Sequence, residues 1–454
     1  MKNSFFNIFP LLFFLSCNQK DGSTFSDTIP VNPSQPVLKS LENSDSSKNK
    51  AALSLKEAFK TALLNNPDLA QFKYSLRLFE AEKLQALQLH NPEIDFEVED
   101  VLGSGQRKVV NQAQATLGIS QVFELGGKKQ ARLAKVSAAQ KKEILRFQLK
   151  KRRVLLKIAL QYYDTVFYLH QVGLDRNILK IHKDIRYIFT NKVKAAKLSP
   201  LQLDKFDLDF GLKKITWQNH KNSLKQQKAQ LAALLGQKEF NYKSMSNCFS
   251  IHKKIKPFGQ LSAELKNHPS LKLIEADNNL QKRELELAES LLVPDITLKA
   301  GIRYYNDERD VGTVVGFSVP IKIFSKGEAQ RKKAKILLKL NQYKKPALIM
   351  QLFKELKVNY LKFKNLHDQV FEFNDKFIPN AKKNFEKIQE GYQLGKLSYL
   401  EVLDSERILN RVHQQFHQVL KEYTRAFIIL SFLGQTEPVP AQGAIVKHCL
   451  DAKY

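Results

Sequence analysis

The chain repeats itself. Asn65-Asn66-Pro67-Asp68-Leu69 returns 202 residues later as Asn267-His268-Pro269-Ser270-Leu271, and Asn91-Pro92-Glu93-Ile94 returns at the same offset as Val293-Pro294-Asp295-Ile296. Further on, Lys197-Leu198-Ser199 returns as Lys396-Leu397-Ser398, and Leu235-Gly236-Gln237 as Leu433-Gly434-Gln435, at offsets of 199 and 198. A unit of about 200 residues is present twice, so the fold has to be built from two like halves. The offset shortens between Pro92/Pro294 and Ser120/Ser318, where the hydrophobic period also changes. That places the missing residues in a hairpin loop.

Each half reads helix, strand, strand, helix, helix. Leu53 to Leu64 and Pro67 to about His90 have helical periodicity. Then Ile94, Phe96 and Val98 alternate with Asp95, Glu97 and Glu99, and Ala113, Ala115, Leu117 and Ile119 alternate with Gln114, Thr116, Gly118 and Ser120. Period two with one apolar face is the mark of a two-faced strand. The second half repeats it with Ile296, Leu298, Ala300 and Ile302, then Val311, Thr313, Val315 and Phe317. Strands of this length can cross a membrane when tilted. After each strand pair runs a very long helical stretch, about 127–195 and about 326–394, which at 1.5 Å per residue spans roughly 100 Å. Leu155, Ile158, Tyr162, Thr165, Leu169 and Val172 keep the spacing of a coiled-coil seam. Each long helix turns at Lys-Leu-Ser and returns through about 200–235 or 399–434. Pro346 and Pro379 predict a kink or split in the second one.

The first residues read as an export signal. Met1-Lys2 is followed by an apolar stretch, Phe5 to Leu15, too short to span a bilayer and of the length of a signal peptide. It ends at Leu15-Ser16-Cys17, similar to a bacterial lipobox, which makes Cys17 the lipidation site. The chain then divides as signal peptide 1–17, flexible tether 18–50, first repeat 53–237 with strands at about 93–102 and 113–123, linker 238–259, second repeat 260–435 with strands at about 294–303 and 311–321, and C-terminal tail 436–454. Cys248 and Cys449 lie shortly after the two repeats at matching places. In an oxidising compartment they form either a disulfide or two inert thiols.

Lys and Arg number 73 against 45 Asp and Glu, a net charge of +28. Such a balance suits nucleic-acid binding, but no nucleic-acid motif accompanies it, and a lysine-rich helical surface accounts for it. His413 and His417, four apart on a helix, lack a third ligand for a metal. Gly103-Ser104-Gly105-Gln106-Arg107-Lys108 lacks the closing residues of a phosphate loop and is a hairpin. No nucleophile, dyad or metal cluster with catalytic spacing is present, so neither a catalytic residue nor a cofactor is expected.

Four amphipathic strands cannot close a membrane barrel, for which the smallest number is eight, and an open edge in lipid leaves backbone groups unsatisfied. The chain therefore oligomerises, or its strands are not in a membrane. In a membrane, the apolar faces meet lipid and Asp95, Glu97 and Glu99 ring a water-filled pore, favouring cations.

Several motifs, in duplicated order, resemble the TolC-type outer-membrane efflux proteins. They are Leu55-Lys56-Glu57-Ala58 with Asn65-Asn66-Pro67, Leu125-Gly126-Gly127-Lys128, Asn267-His268-Pro269, Gly316-Phe317-Ser318-Val319-Pro320-Ile321, and the long run Gly391 to Asp404. The resemblance covers about 53 to 435. It implies a mixed α/β membrane protein: a homotrimer with a twelve-stranded barrel in the outer membrane and a coiled-coil α-barrel in the periplasm, working with a periplasmic adaptor and an inner-membrane pump. It assigns adaptor contacts to the tips at Leu198, Ser199, Gly395, Leu397 and Ser398, and a tip gate to Glu401 and Asp404 with Tyr392 and Lys396 as latch residues. Asp204 stands about one position from the family's latch partner. The implied function is a passive duct of a tripartite exporter of the resistance-nodulation-division type, for heavy-metal cations or small toxic compounds. The outlet of a type I protein secretion system on the same fold is an alternative. A soluble basic coiled-coil scaffold or nucleic-acid-binding protein is the alternative from another class.

Overall fold

A computed structural model describes residues 52–246, 248–252, 256–324, 327–434 and 445–449. The signal peptide, Cys17 and the tether lie outside the described residues.

The first half begins with α1 (Leu55–Asn65), whose first turn is capped by Ser54 accepting from the Glu57 amide at 3.2 Å. Asn66 ends it and starts α2 (Pro67–Leu87), because its Oδ1 accepts from the Asp68 amide and Pro67 needs no donor partner at the first helical position. Its side-chain amide nitrogen also donates to the Leu234 carbonyl at 2.9 Å, so Asn66 fastens the helix to the far end of its own half. Strands β1 (Glu93–Glu99) and β2 (Gln114–Phe123) follow, then α3 (Lys128–Lys194) and α4 (Pro200–Leu234). After β3 (Cys248–His252) the order returns as α5 (Phe258–Glu264), α6 (Pro269–Ser290), β4 (Ile296–Tyr305), β5 (Asp310–Ser318), α7 (Glu328–Glu372), α8 (Ile378–Gln393) and α9 (Tyr399–Leu433), with β6 (Ile445–Cys449) last.

The strands differ from the sequence reading at their ends. β1 stops at Glu99 rather than about 102, because Asp100 and Leu102 both adopt positive φ and Asp100 is held by Arg107 at 2.7 Å. β4 runs on to Tyr305, since the connection to β5 is only residues 306–309. β5 ends at Ser318, ahead of Pro320, which cannot donate to a ladder.

The four strands form one antiparallel sheet in the order β1-β2-β4-β5, so the two halves meet at the β2–β4 pair, with Gln114 opposite Tyr305 and Phe123 opposite Ile296. The outer edges of β1 and β5 pair with nothing among the described residues.

α3 is one continuous helix. It packs on α4, α6, α2 and α9, while α7 lies between α6 and α9 and α8 packs on α9. The helix is split at one of the two prolines. α7 passes through Pro346 without interruption, whereas a π-helical turn, Phe373–Phe377, immediately precedes Pro379 and begins a new helix, α8. The wider turn absorbs the carbonyl that the proline ring would otherwise strike. Among the described residues no helix is long and apolar enough to cross a membrane.

The main core sits midway along the helices. Ile158, Tyr162 and Val166 of α3 meet Ala58 and Ala62 of α1, Leu231 of α4, Phe249 and Ile251 of β3, Leu356 and Phe363 of α7, and Phe416, Leu420 and Tyr423 of α9. The Tyr162 hydroxyl lies 3.0 Å from the carbonyls of Leu53 and Ser246, and burial raises its pKa. β3 pairs antiparallel with β6, which sets Cys248 directly opposite Cys449. The sequence reading placed these segments in a linker and a tail. Each strand is only five residues long and finds its partner about 200 residues away, which no local pattern reveals.

Candidate functional site: a two-faced sheet and a paired helix tip

Alternation along the four strands gives the sheet two unlike faces. One carries Ile94, Phe96, Val98, Leu117, Ile119, Leu298, Ile302, Val311, Val315 and Phe317, all exposed, with Ile94 at 78%, Val315 at 80% and Phe317 at 78%. An apolar surface this continuous is not left to water.

The other face is polar, and its charges are paired. Lys299 of β4 reaches over β2 to Asp95 at 2.6 Å and stands 4.0 Å from Glu97. Arg303, one layer on, contacts Glu99 at 2.7 Å while donating to Thr116 Oγ1 at 2.8 Å and Gln114 Oε1 at 3.0 Å. The path of Lys299 crosses Gly118, where a Cβ would lie 2.7 Å from Asp95 Oδ2 and 3.1 Å from Lys299 Cε. Asp95, Glu97 and Glu99, expected from the sequence to line a pore, stand together on this face with Lys299 and Arg303 against them. Two cations from the second half cover most of that charge, and their strand lies about 200 residues from the acids they meet.

Below the sheet, Leu125-Gly126-Gly127-Lys128 turns β2 into α3. Gly126 and Gly127 have φ of +72° and +69°, and a Cβ on Gly126 would meet Val293 at 2.6 Å. Lys128, buried, bonds Asp295 at 2.6 Å, and Arg132 grips Glu124 through two bonds of 2.6 and 2.8 Å. The Arg132 hydrogen bond holds the Glu124 carboxyl below its ordinary pKa.

At the other end, the two helix hairpins turn alike. The Lys197 amide bonds the Lys192 carbonyl at 2.8 Å and Ala196 bonds Val193 at 3.0 Å; in the second turn Lys396 bonds Gly391 at 2.9 Å and Gly395 bonds Tyr392 at 3.0 Å. This is the Schellman arrangement, with a left-handed residue at the bend. Gly395 takes it at φ +73° and Ala196 at +57°. Leu198 and Leu397 are half-buried behind the bends, while Ser199, Gly395 and Ser398 are exposed.

Glu401 and Asp404 are both exposed on α9, one turn apart. Glu401 has a second occupation: its Oε2 accepts from the Ser398 amide at 2.6 Å and the Ser398 hydroxyl at 2.9 Å, closing a capping box. Those bonds hold its carboxyl below the usual range. Tyr392 is bonded to the first hairpin. Its hydroxyl accepts from Lys192 Nζ, which also stands 4.7 Å over the tyrosine ring. Tyr399 packs on Tyr392 at 5.5 Å and on buried Phe189 at 4.3 Å. Burial, with Glu406 and Tyr392 nearby, raises the Tyr399 pKa. Lys192 and Phe189 were not singled out from sequence. By the tip offset of 199 the counterpart of Tyr392 is Val193, the residue after Lys192, so the repeat alignment brings the two positions only to neighbouring places in the two turns.

Among the described residues no group of three or more His, Cys, Asp or Glu side chains could hold a metal ion. His413, partly buried on α9, has its pKa lowered by desolvation and then by Lys382.

Known proteins share this construction. Residues 261–433 match the outer membrane efflux protein family. The cobalt-zinc-cadmium resistance protein CzcC of Cupriavidus metallidurans is 23% identical over 394 residues, covering 84% of this chain and 90% of that one. The nickel and cobalt resistance protein CnrC of the same organism is 25% identical over 258 residues, covering 55% and 59%. Among solved structures, CusC superposes with a TM-score of 0.67 at 18% identity over 84% of this chain and 92% of its own, and the outer membrane protein VceC of Vibrio cholerae with 0.66 at 15% over 84% and 96%. The two-faced sheet, the paired tips and these likenesses agree: the chain has the fold of the outer-membrane efflux channels, and its second half matches the outer membrane efflux protein family.

Proposed function

We propose that three copies of this chain close their sheets into one twelve-stranded barrel in the outer membrane, continued by a helical tunnel through the periplasm, as the passive duct of a tripartite heavy-metal exporter. The observation that carries the reading is the four-stranded sheet with one predominantly apolar exposed face and, among the described residues, two unpaired edges. In lipid each unpaired backbone group costs several kcal/mol, and joining β5 of one chain to β1 of the next removes every edge. The apolar face meets lipid, and the polar face lines the lumen. The names of the relatives, resistance proteins for cobalt, zinc, cadmium and nickel, favour metal cations as cargo over drugs or proteins. The duct needs no catalytic group, since the pump supplies the energy.

Within this reading the tips at Leu198, Ser199, Gly395, Leu397 and Ser398 meet the periplasmic adaptor, and Glu401 and Asp404 form an acidic ring at the tunnel mouth. Lys192–Tyr392 joins the two hairpins of one chain and, with Lys396, latches the closed tip. Cys248 and Cys449 are joined as a disulfide in the oxidising periplasm. Directly opposed residues of antiparallel strands have Cα atoms about 4.5–5.5 Å apart, inside the range a disulfide spans.

The test is the native mass of protein extracted by detergent from outer membranes, together with metal challenge of cells lacking the gene. Three chains per particle and sensitivity to cobalt, zinc or cadmium are expected. A soluble monomer would overturn the barrel, and unchanged metal tolerance with drug sensitivity or a missing secreted protein would overturn the cargo.

A further inference from the structure

Asp95, Glu97 and Glu99 stand on one face of β1, so their carboxylates repeat about every 7 Å along the strand. Left alone and repeated in three chains, such a ladder would concentrate divalent cations. A duct conducts only when its cargo binds weakly enough to leave. Lys299 and Arg303 occupy this ladder. Neither sits on the neighbouring strand; both extend from β4 across the whole width of β2. The sheet is fitted to let them through. Gly118 has no side chain in the path of Lys299, and Thr116, 1% exposed, and Gln114 turn their oxygens to the Arg303 guanidinium. Three carboxylates thus face two cations, with Glu93 and Asp310 at the two ends of the same face.

Holding the sheet together does not require these ion pairs. β1 is already laddered to β2 from Glu93 to Glu99, and water-exposed ion pairs contribute little to stability. What they change is the charge of the lumen.

We propose that Lys299 and Arg303 are the selectivity-determining residues of the barrel: they neutralise two of the five carboxylates on this face of each sheet, so that a metal cation is drawn in but passes without being retained. The inference rests on the channel reading above.

The test is the reversal potential of the purified channel in planar bilayers across a KCl gradient, repeated with cobalt chloride on the outer side. The wild-type channel is expected to be weakly cation-selective and little affected by cobalt. Lys299→Gln with Arg303→Gln exposes the ladder, and the K⁺/Cl⁻ permeability ratio should rise roughly threefold or more, with cobalt now reducing the current. Adding Asp95→Asn and Glu99→Gln removes two carboxylates to match the two lost cations and should return both readouts to the wild-type level. A merely structural defect would persist or worsen in that fourfold variant. If the double variant conducts with unchanged permeability ratio, or if the fourfold variant fails to restore it, the proposal is overturned. Should the double variant insert no channels, Lys299→Gln alone must give a smaller shift in the same direction, and no shift is equally fatal. If the wild-type protein forms no channels at all, the channel reading itself fails, which is a different result.

Discussion

At the helix tips, two residues in equivalent turns face the same backbone demand with different means. Gly395 adopts the left-handed bend without a Cβ, and Ala196 adopts it with one. A left-handed non-glycine residue costs about 1–2 kcal/mol, partly offset by the larger unfolded-state entropy of glycine. Ala196→Gly should therefore stabilise the first hairpin by roughly 0.5–1 kcal/mol, read as a higher midpoint in thermal unfolding of the helical signal. Gly391→Ala should do the opposite in the second hairpin, because its Cβ would lie 2.7 Å from Leu397 Cδ1. Glu401 serves two ends at once, so Glu401→Ala confuses them by deleting both charge and cap. Glu401→Gln keeps a capping side chain at that position and removes the charge; with Asp404→Asn it should raise channel conductance if the pair gates the tip. Conductance equal to wild type would remove the gate assignment. The cap has its own pH signature. The Glu401 pKa is depressed by the Ser398 bonds, so its contribution is complete above the ordinary glutamate range, about pH 4.3, and is lost as pH falls through the depressed folded value. Protection of the Ser398 amide from hydrogen exchange should persist through that range and fall below it.

Among the elements, what could be read from sequence was what depends on neighbours in the chain. Period two gave the four long strands and their two faces, and period 3.6 gave the long helices. The tips were legible because a lysine-leucine-serine turn occurs twice. What depends on a distant partner was not legible. The acidic face of Asp95, Glu97 and Glu99 was legible, but its partners Lys299 and Arg303 were not, because they lie in the other repeat on a strand that is not adjacent. The Ser398-to-Glu401 spacing is a capping signature and could have been read as one. Pro346 and Pro379 were expected to kink or split the second long helix; its assignment continues through Pro346 and is split at the π turn before Pro379. Strands β3 and β6 gave no signal, yet their pairing makes a prediction. Peptide mapping of alkylated, unreduced protein should recover Cys248 and Cys449 in one linked species that separates on reduction. Full alkylation of both without reductant would leave two thiols and no staple.

For the whole molecule, the decisive question is which side of the sheet faces lipid, because the barrel, the lumen and the charge balance all follow from it. Leu117 and Ser120 share the central strand β2 and point to opposite faces, the first exposed among apolar side chains and the second beside Lys299 in the register. An arginine on the lipid face near the membrane midplane costs about 2–4 kcal/mol in each chain, whereas a charge facing a water-filled lumen costs little. Leu117→Arg should therefore sharply reduce the yield of assembled trimer in the outer membrane and restore metal sensitivity to cells that carry it. Ser120→Lys should assemble at the wild-type level, although it adds a charge of the same sign three residues away. Equal yields for the two variants would mean that neither face meets lipid, and the sheet would then have to find its missing partner in another protein. The reverse asymmetry would turn the barrel inside out and place Lys299 and Arg303 against the membrane, an arrangement their three-strand span of polar contacts makes energetically untenable.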